Sequence, residues 1–173
     1  MDTNPIDLTD VFRHLLRLGT AYLLAMPIAW DREAHSGGAG LRTFPLVALA
    51  SCAYVLLGIE VLDGADSQSR VLYGLMTGMG FIGGGAILKD GGSVRGTATA
   101  ASIWNTGAIG AAVAWNRYEM AITLALLNFI TLWAFRPLKR AARDTQESLP
   151  QPAPHEAPGG ASVLPPRRER ARG

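Results

Sequence analysis

Four stretches of this chain, 43–59, 71–88, 96–115 and 120–135, carry no charged residue, and each is 16 to 20 residues long. A helix needs about 20 mainly apolar residues, with a working range of about 17–25, to cross the hydrocarbon of a bilayer. Four such runs within 173 residues predict an all-α, polytopic membrane bundle and argue against a soluble globule, a disulfide scaffold or a coiled coil. Composition agrees. Only 17% of the residues are charged, against about 25% in a soluble domain, and mean hydropathy is +0.17.

A fifth span is predicted ahead of these. Residues 18–30 are free of charge, and 11–17 extend them as an amphipathic segment in which Arg13 and Arg17 share one face. Those two arginines can snorkel to the near interface. The predicted spans are therefore 11–31, 43–62, 70–88, 96–115 and 118–137. Pro27 is expected to kink the first near its far end, whereas Pro45 falls in the first turn of the second, where its missing N–H costs nothing. The connections are a polar loop at 31–42, a short acidic one at 63–69, a tight polar turn at 89–95 and a short turn at 116–119. Residues 1–143 are read as one transmembrane domain. Six of the ten prolines and the terminal R-R-E-R-A-R-G fall in 144–173, which is expected to be disordered for want of apolar surface to bury.

Five spans put the two termini on opposite faces, and the distribution of cations orients them. One side carries Arg13, Arg17, Arg70 and Arg117; the other carries Arg32, Arg42, Lys89, Arg95, Arg136, Lys139, Arg140 and Arg143. The second is read as cytoplasmic, which leaves the N-terminus outside. Asp2, Asp7 and Asp10 stand where a cleavable signal peptide would have its positive segment, so none is expected. The single cysteine, Cys52, has no partner for an internal disulfide. A net charge of +2, raised by arginines near the C-terminus, fits membrane orientation rather than nucleic-acid binding, which needs a folded basic face.

Residues 78–83 spell G-x-G-x-x-G, the dinucleotide fingerprint, but inside an uncharged run with no strand before it. That motif works only as a strand-to-helix turn, so a nucleotide site is rejected. Packing explains the glycines better. Gly74 with Gly78, and Gly80 with Gly84, have the G-x-x-x-G spacing that lets helices approach closely in lipid. The fourth span, opened by Gly96, is built of small residues. A tight hairpin is predicted, with Gly80 and Gly84 facing Ala100, Gly107 and Ala111. Asn105 and Thr106 fall near mid-membrane, where a polar side chain needs a partner. An interhelical hydrogen bond is the plain reading and a functional polar site the sharper one. No catalytic or metal-ligand spacing is visible among the scattered histidines and carboxylates, so neither enzymatic activity nor a cofactor is expected.

The charged residues Asp31, Glu33, Arg42, Lys89, Asp90 and Arg95 all fall at the predicted cytoplasmic ends of spans. They can form an ion-pair network that locks the loops, worth little pair by pair where exposed. Arg42 and Arg95 can instead hold an anionic headgroup or a partner's carboxylate.

Gly40-Leu41-Arg42-Thr43, the run G-M-G-F-I-G-G-G-A-I-L from Gly78, and V-R-G-T-A-T-A-A-S-I-W from Val94 together resemble the MgtC/SapB family of membrane proteins. Asp31-Arg32-Glu33 stands for that family's acidic-Arg-Glu triplet, and the resemblance covers about 13–135. Thr43 and Thr99, inside two of these motifs, join the interaction candidates. The resemblance implies a protein of the bacterial cytoplasmic membrane linked to magnesium-limited growth, acid tolerance and intracellular survival. The best-known members of that family resemble regulators of F-type ATP synthase more than magnesium carriers. A membrane-protein partner is therefore expected, with a second copy of the chain as another candidate and a divalent-cation transporter as the alternative function. Two departures stand out. Many relatives with a virulence role have a folded cytoplasmic C-terminal domain where this chain has a Pro/Arg tail. They also tend to have a polar residue at the place of Ala98 and a cysteine at that of Asn105.

Overall fold

The computed structural model describes residues 7–36, 39–90 and 93–137; the expected tail at 144–173 lies outside the described residues. Five helices follow one another: α1 (Leu8–Ser36), α2 (Thr43–Val61), α3 (Ala65–Gly85), α4 (Thr97–Ala114) and α5 (Tyr118–Ala134). A two-stranded antiparallel hairpin, β1 (Leu88–Asp90) and β2 (Ser93–Arg95), joins α3 to α4, with Leu88 opposite Arg95 and Lys89 opposite Val94. The chain is all-α in class, and each predicted span coincides with one helix.

The boundaries differ where local chemistry outweighs charge. α1 begins at Asp7, whose carboxylate accepts the Thr9 N–H at 2.8 Å and so caps one of the helix's orphan donors. That bond holds the Asp7 carboxyl below its ordinary pKa. The helix runs on to Ser36 through Pro27, whose ring is exposed. α3 starts five residues early because the acidic segment suits a helix N-terminus: Asp66 lies in its first turn, where the helix dipole favours negative charge. It stops at Gly83-Gly84-Gly85, three poor helix formers in a row. Gly96 then takes φ +86°, and a Cβ there would run into the Ala86 carbonyl. Only glycine fits that turn.

Successive helices run antiparallel. Gly58 meets Val71 where α2 ends and α3 begins, and Ser51 Oγ lies 3.8 Å from Met79 Sδ farther along the pair. α4 is the hub, in contact with each of the other four helices and most extensively with α2. Glycines allow this. A Cβ on Gly110 would strike the Ala48 carbonyl oxygen, and one on Gly107 would strike the Met79 side chain.

The predicted groove of Gly80 and Gly84 is not there. Added Cβ atoms at Gly74, Gly78, Gly80 and Gly84 would meet nothing within 4 Å, while Gly83 abuts Ala100 at 3.3 Å. α3 packs through Leu72, Leu75, Met79 and Gly83, a stripe at helical period. G-x-x-x-G spacing says that two glycines share a face, not which face meets the neighbour.

Alanines are frequent in the interior, where Ala21, Ala25, Ala29, Ala48, Ala112, Ala114 and Ala121 lie beside Phe44, Ile28, Ile103 and Ile109. Large apolar side chains also cover the outside: Phe81 is 85% exposed, Tyr73 75% and Trp30 69%. Among the described residues α2 alone is both long and apolar enough to cross a membrane by length and composition; α5 is apolar but shorter, at 17 residues.

Candidate functional site

Alternation of direction brings five segments to one end of the bundle: the C-terminal turns of α1 and α5, the start of α2, the β-hairpin, and the start of α4. Most of the polar residues singled out from sequence lie there. At the centre is Asp31, whose side chain is completely buried. Arg32 Nη2 donates to Asp31 Oδ2 at 2.5 Å and Arg32 Nε to the same oxygen at 3.1 Å. Arg136, just past α5, donates through Nη2 to Oδ1, and His35 Nδ1 lies 2.9 Å from the Asp31 carbonyl oxygen. One carboxylate thus ties the last turn of α1 to the end of α5 with charge-assisted bonds. Two guanidiniums thus converge on one buried carboxylate.

Glu33 does a different task. Its Oε2 accepts the Leu41 N–H at 3.0 Å and sits where a Cβ of residue 40 would be, so Gly40 is required beneath it. The Gly40 carbonyl accepts the N–H groups of Thr43 at 3.0 Å and Phe44 at 3.2 Å, which starts α2. Thr43 is half-buried in that turn, and Thr99 is buried in the first turn of α4.

Arg42, Lys89 and Arg95 are exposed, and among the described residues no carboxylate lies in ion-pair range of any of them. The predicted network therefore divides: Asp31 and Glu33 hold the frame, and three cations stay open. The Asp90 side chain lies outside what the structure describes.

Midway along the bundle, Asn105 Nδ2 donates to the Leu124 carbonyl at 3.2 Å and Ser102 Oγ to Asn128 Oδ1 at 3.1 Å. Asn105 therefore pairs with α5 rather than with α3. These residues and Thr131 line a cavity of about 290 Å³, and the buried amide nitrogen of Asn128 has no hydrogen-bond partner among the described residues. Thr106 returns its hydroxyl to the Ser102 carbonyl at 2.7 Å. Among the described residues no three of His, Cys, Asp and Glu come together as a metal cage would need.

The sequence offered Arg136 for orientation alone, Arg32 for orientation and for the Asp31-Arg32-Glu33 triplet, His35 only as one of the scattered histidines, and no signal at Asn128 or Gly110. Arg136 had one visible signal, its place at the end of an apolar run before Pro137. Nothing local connects it with a residue 105 positions away.

The family model described as MgtC family matches residues 18–141. An uncharacterized protein of Synechocystis sp. is 34% identical over 125 residues, covering 72% of this chain and 53% of its own length. Protein MgtC of Brucella abortus is 33% identical over 135 residues, 72% of this chain and 56% of that one. YhiD of Escherichia coli, whose name points to a magnesium transporter, is 33% identical over 132 residues, 72% and 61% respectively. The chain thus spans between half and two thirds of these relatives. No solved structure matches it.

Proposed function

The chain belongs to the MgtC family, and on that premise we propose that it is a non-enzymatic protein of the bacterial inner membrane. It crosses the bilayer five times, with its N-terminus outside and its C-terminus in the cytoplasm. It supports growth under low magnesium or acid stress by contact with another membrane complex, F-type ATP synthase being the partner that the resemblance offers.

The observation that carries the membrane reading is the apolar exterior, with Phe81, Tyr73, Trp30 and Leu23 exposed, over helices that meet through glycines such as Gly107 and Gly110. Apolar burial gives helices no drive to associate in lipid, so close backbone approach through small residues takes over. Exposed Trp30 and Trp133 at one end, and Trp115 and Tyr118 at the other, fit two aromatic belts. Contact rather than conduction is favoured because Ser102 and Asn105 at mid-bundle are engaged with α5. Affinity capture from membranes of cells grown with scarce magnesium tests the contact. A complex retained by the wild-type chain supports it; recovery of the chain alone, under conditions where it is expressed and integral, contradicts it.

A second reading, a magnesium transporter or channel subunit, draws on the YhiD name and on the cavity lined by Ser102, Asn105, Asn128 and Thr131. Its amide and hydroxyl oxygens suit a hard cation. Magnesium flux in liposomes separates the two.

A further inference from the structure

A groove of about 790 Å³ runs between α2 and α3, walled by Leu46, Val47, Tyr54, Leu75 and Ile82, with Arg42 and Thr43 among its lining. Its floor is smooth because Gly74 and Gly78 line it with open space beside them. Its α2 lining begins at Thr43, and its α3 lining reaches Val71, which meets Gly58 of α2. Those fifteen residues along α2 make about 22 Å at 1.5 Å per residue. That is more than half of a roughly 30 Å hydrocarbon layer. The groove therefore runs the length of an acyl chain, and its charged mouth is at the end where the cations gather.

The cations at this mouth are unspent. Arg42 belongs to the groove itself, and Lys89 and Arg95 lie on the hairpin that follows α3 at the same end. Among the described residues none of the three has an ion-pair partner. Asp31 and Glu33, the acids of this end whose side chains are described, are already engaged. A guanidinium beside a long apolar slot matches a molecule with a phosphate at one end and an acyl chain at the other.

We infer that the α2–α3 groove seats one anionic phospholipid of the cytoplasmic leaflet, its acyl chain along Gly74 and Gly78 and its phosphate on Arg42. The inference rests on the membrane reading and adds a specific ligand to it. The Arg42 guanidinium supplies the charge-assisted hydrogen bonds. Lys89 and Arg95 supply field, which attracts an anionic headgroup over a zwitterionic one.

Native mass spectrometry of the full chain in mild detergent, with equal phosphatidylglycerol and phosphatidylcholine added, tests it. The wild-type chain is expected to keep one phosphatidylglycerol with a roughly tenfold preference, the ratio given by about 1.4 kcal/mol. Lys89→Gln with Arg95→Gln should lose that preference while still admitting either lipid, and Arg42→Gln should weaken the retention of both. Gly78→Leu, placed in open space, should fill the slot and lose both, with melting unchanged. Arg117→Gln, at the opposite end, should bind as the wild type does. Equal retention of the two lipids by the wild-type chain overturns the inference, and so does full retention by Gly78→Leu. A dimer mass that Gly78→Leu abolishes would give the groove to a second copy and overturn it as well. Alkaline carbonate extraction reads the membrane assignment by itself. Release of the chain removes that assignment and the lipid site together, whereas an integral chain without anionic preference removes the lipid site alone.

Discussion

Arg136 donates to the buried carboxylate of Asp31 across 105 residues of sequence, joining the end of α5 to the end of α1. The same carboxylate holds Arg32, so two cations meet one buried acid at the end of the bundle where the charged motif residues collect. The bond closes the helix ring: first and last helices meet through it, on the side where α4 also begins.

Asp31→Asn should therefore destabilise the fold by about 3 kcal/mol, because it breaks the buried ion pair with Arg32 and the one with Arg136 at once. Arg136→Gln should cost less, since Arg32 still faces the carboxylate. Melting in detergent of both single variants and the double variant is expected to show coupling of about 0.5–3 kcal/mol. Strict additivity would show that Asp31 and Arg136 act independently.

Glycine substitutions should follow position rather than motif. Gly110→Ala puts a methyl into the Ala48 carbonyl and should cost about 1–3 kcal/mol, as overpacking does, because two helix backbones must separate. Gly80→Ala meets open space and should be neutral or stabilise by up to about 1 kcal/mol through helix propensity. Thermal melting ranks them, and the reverse order would put the helix contacts elsewhere.

The number, order and approximate limits of the helices were legible because uncharged runs of membrane length can hardly do anything else. Contact phase was not. Gly74/Gly78 and Gly80/Gly84 have the spacing of close-packed faces, yet Gly83 and Gly110 are the glycines against neighbouring backbone, because rotation about the helix axis is set by all the other contacts at once. The charged cluster was legible as a set, through its repeated place at span ends. Its division was not: that Asp31 takes Arg32 and Arg136, while Arg42, Lys89 and Arg95 have no ion-pair partner among the described residues, depends on distances between helices far apart in sequence.

Asn105→Ala removes the bond to the Leu124 carbonyl and should cost about 0.6 kcal/mol, the average for a hydrogen bond between membrane helices. A small drop in melting temperature with normal accumulation is the expected result. Collapse of expression would mean that Asn105 supports much more than one bond.

Reporter fusions check the orientation. A reporter at Gly173 should report cytoplasm and one after Asp66 the periplasm. The same side for both would contradict five crossings, and α1, with its charged outer turns, would be the helix to reassign.

Magnesium influx into liposomes carrying the purified chain and an internal magnesium-sensitive dye tests contact against conduction most directly. The account predicts influx at the rate of protein-free liposomes, for the wild type and for Asn105→Ala alike. Saturable influx through the wild-type chain that disappears in Asn105→Ala would contradict it and make the Ser102–Asn105–Asn128 cavity a path for the ion.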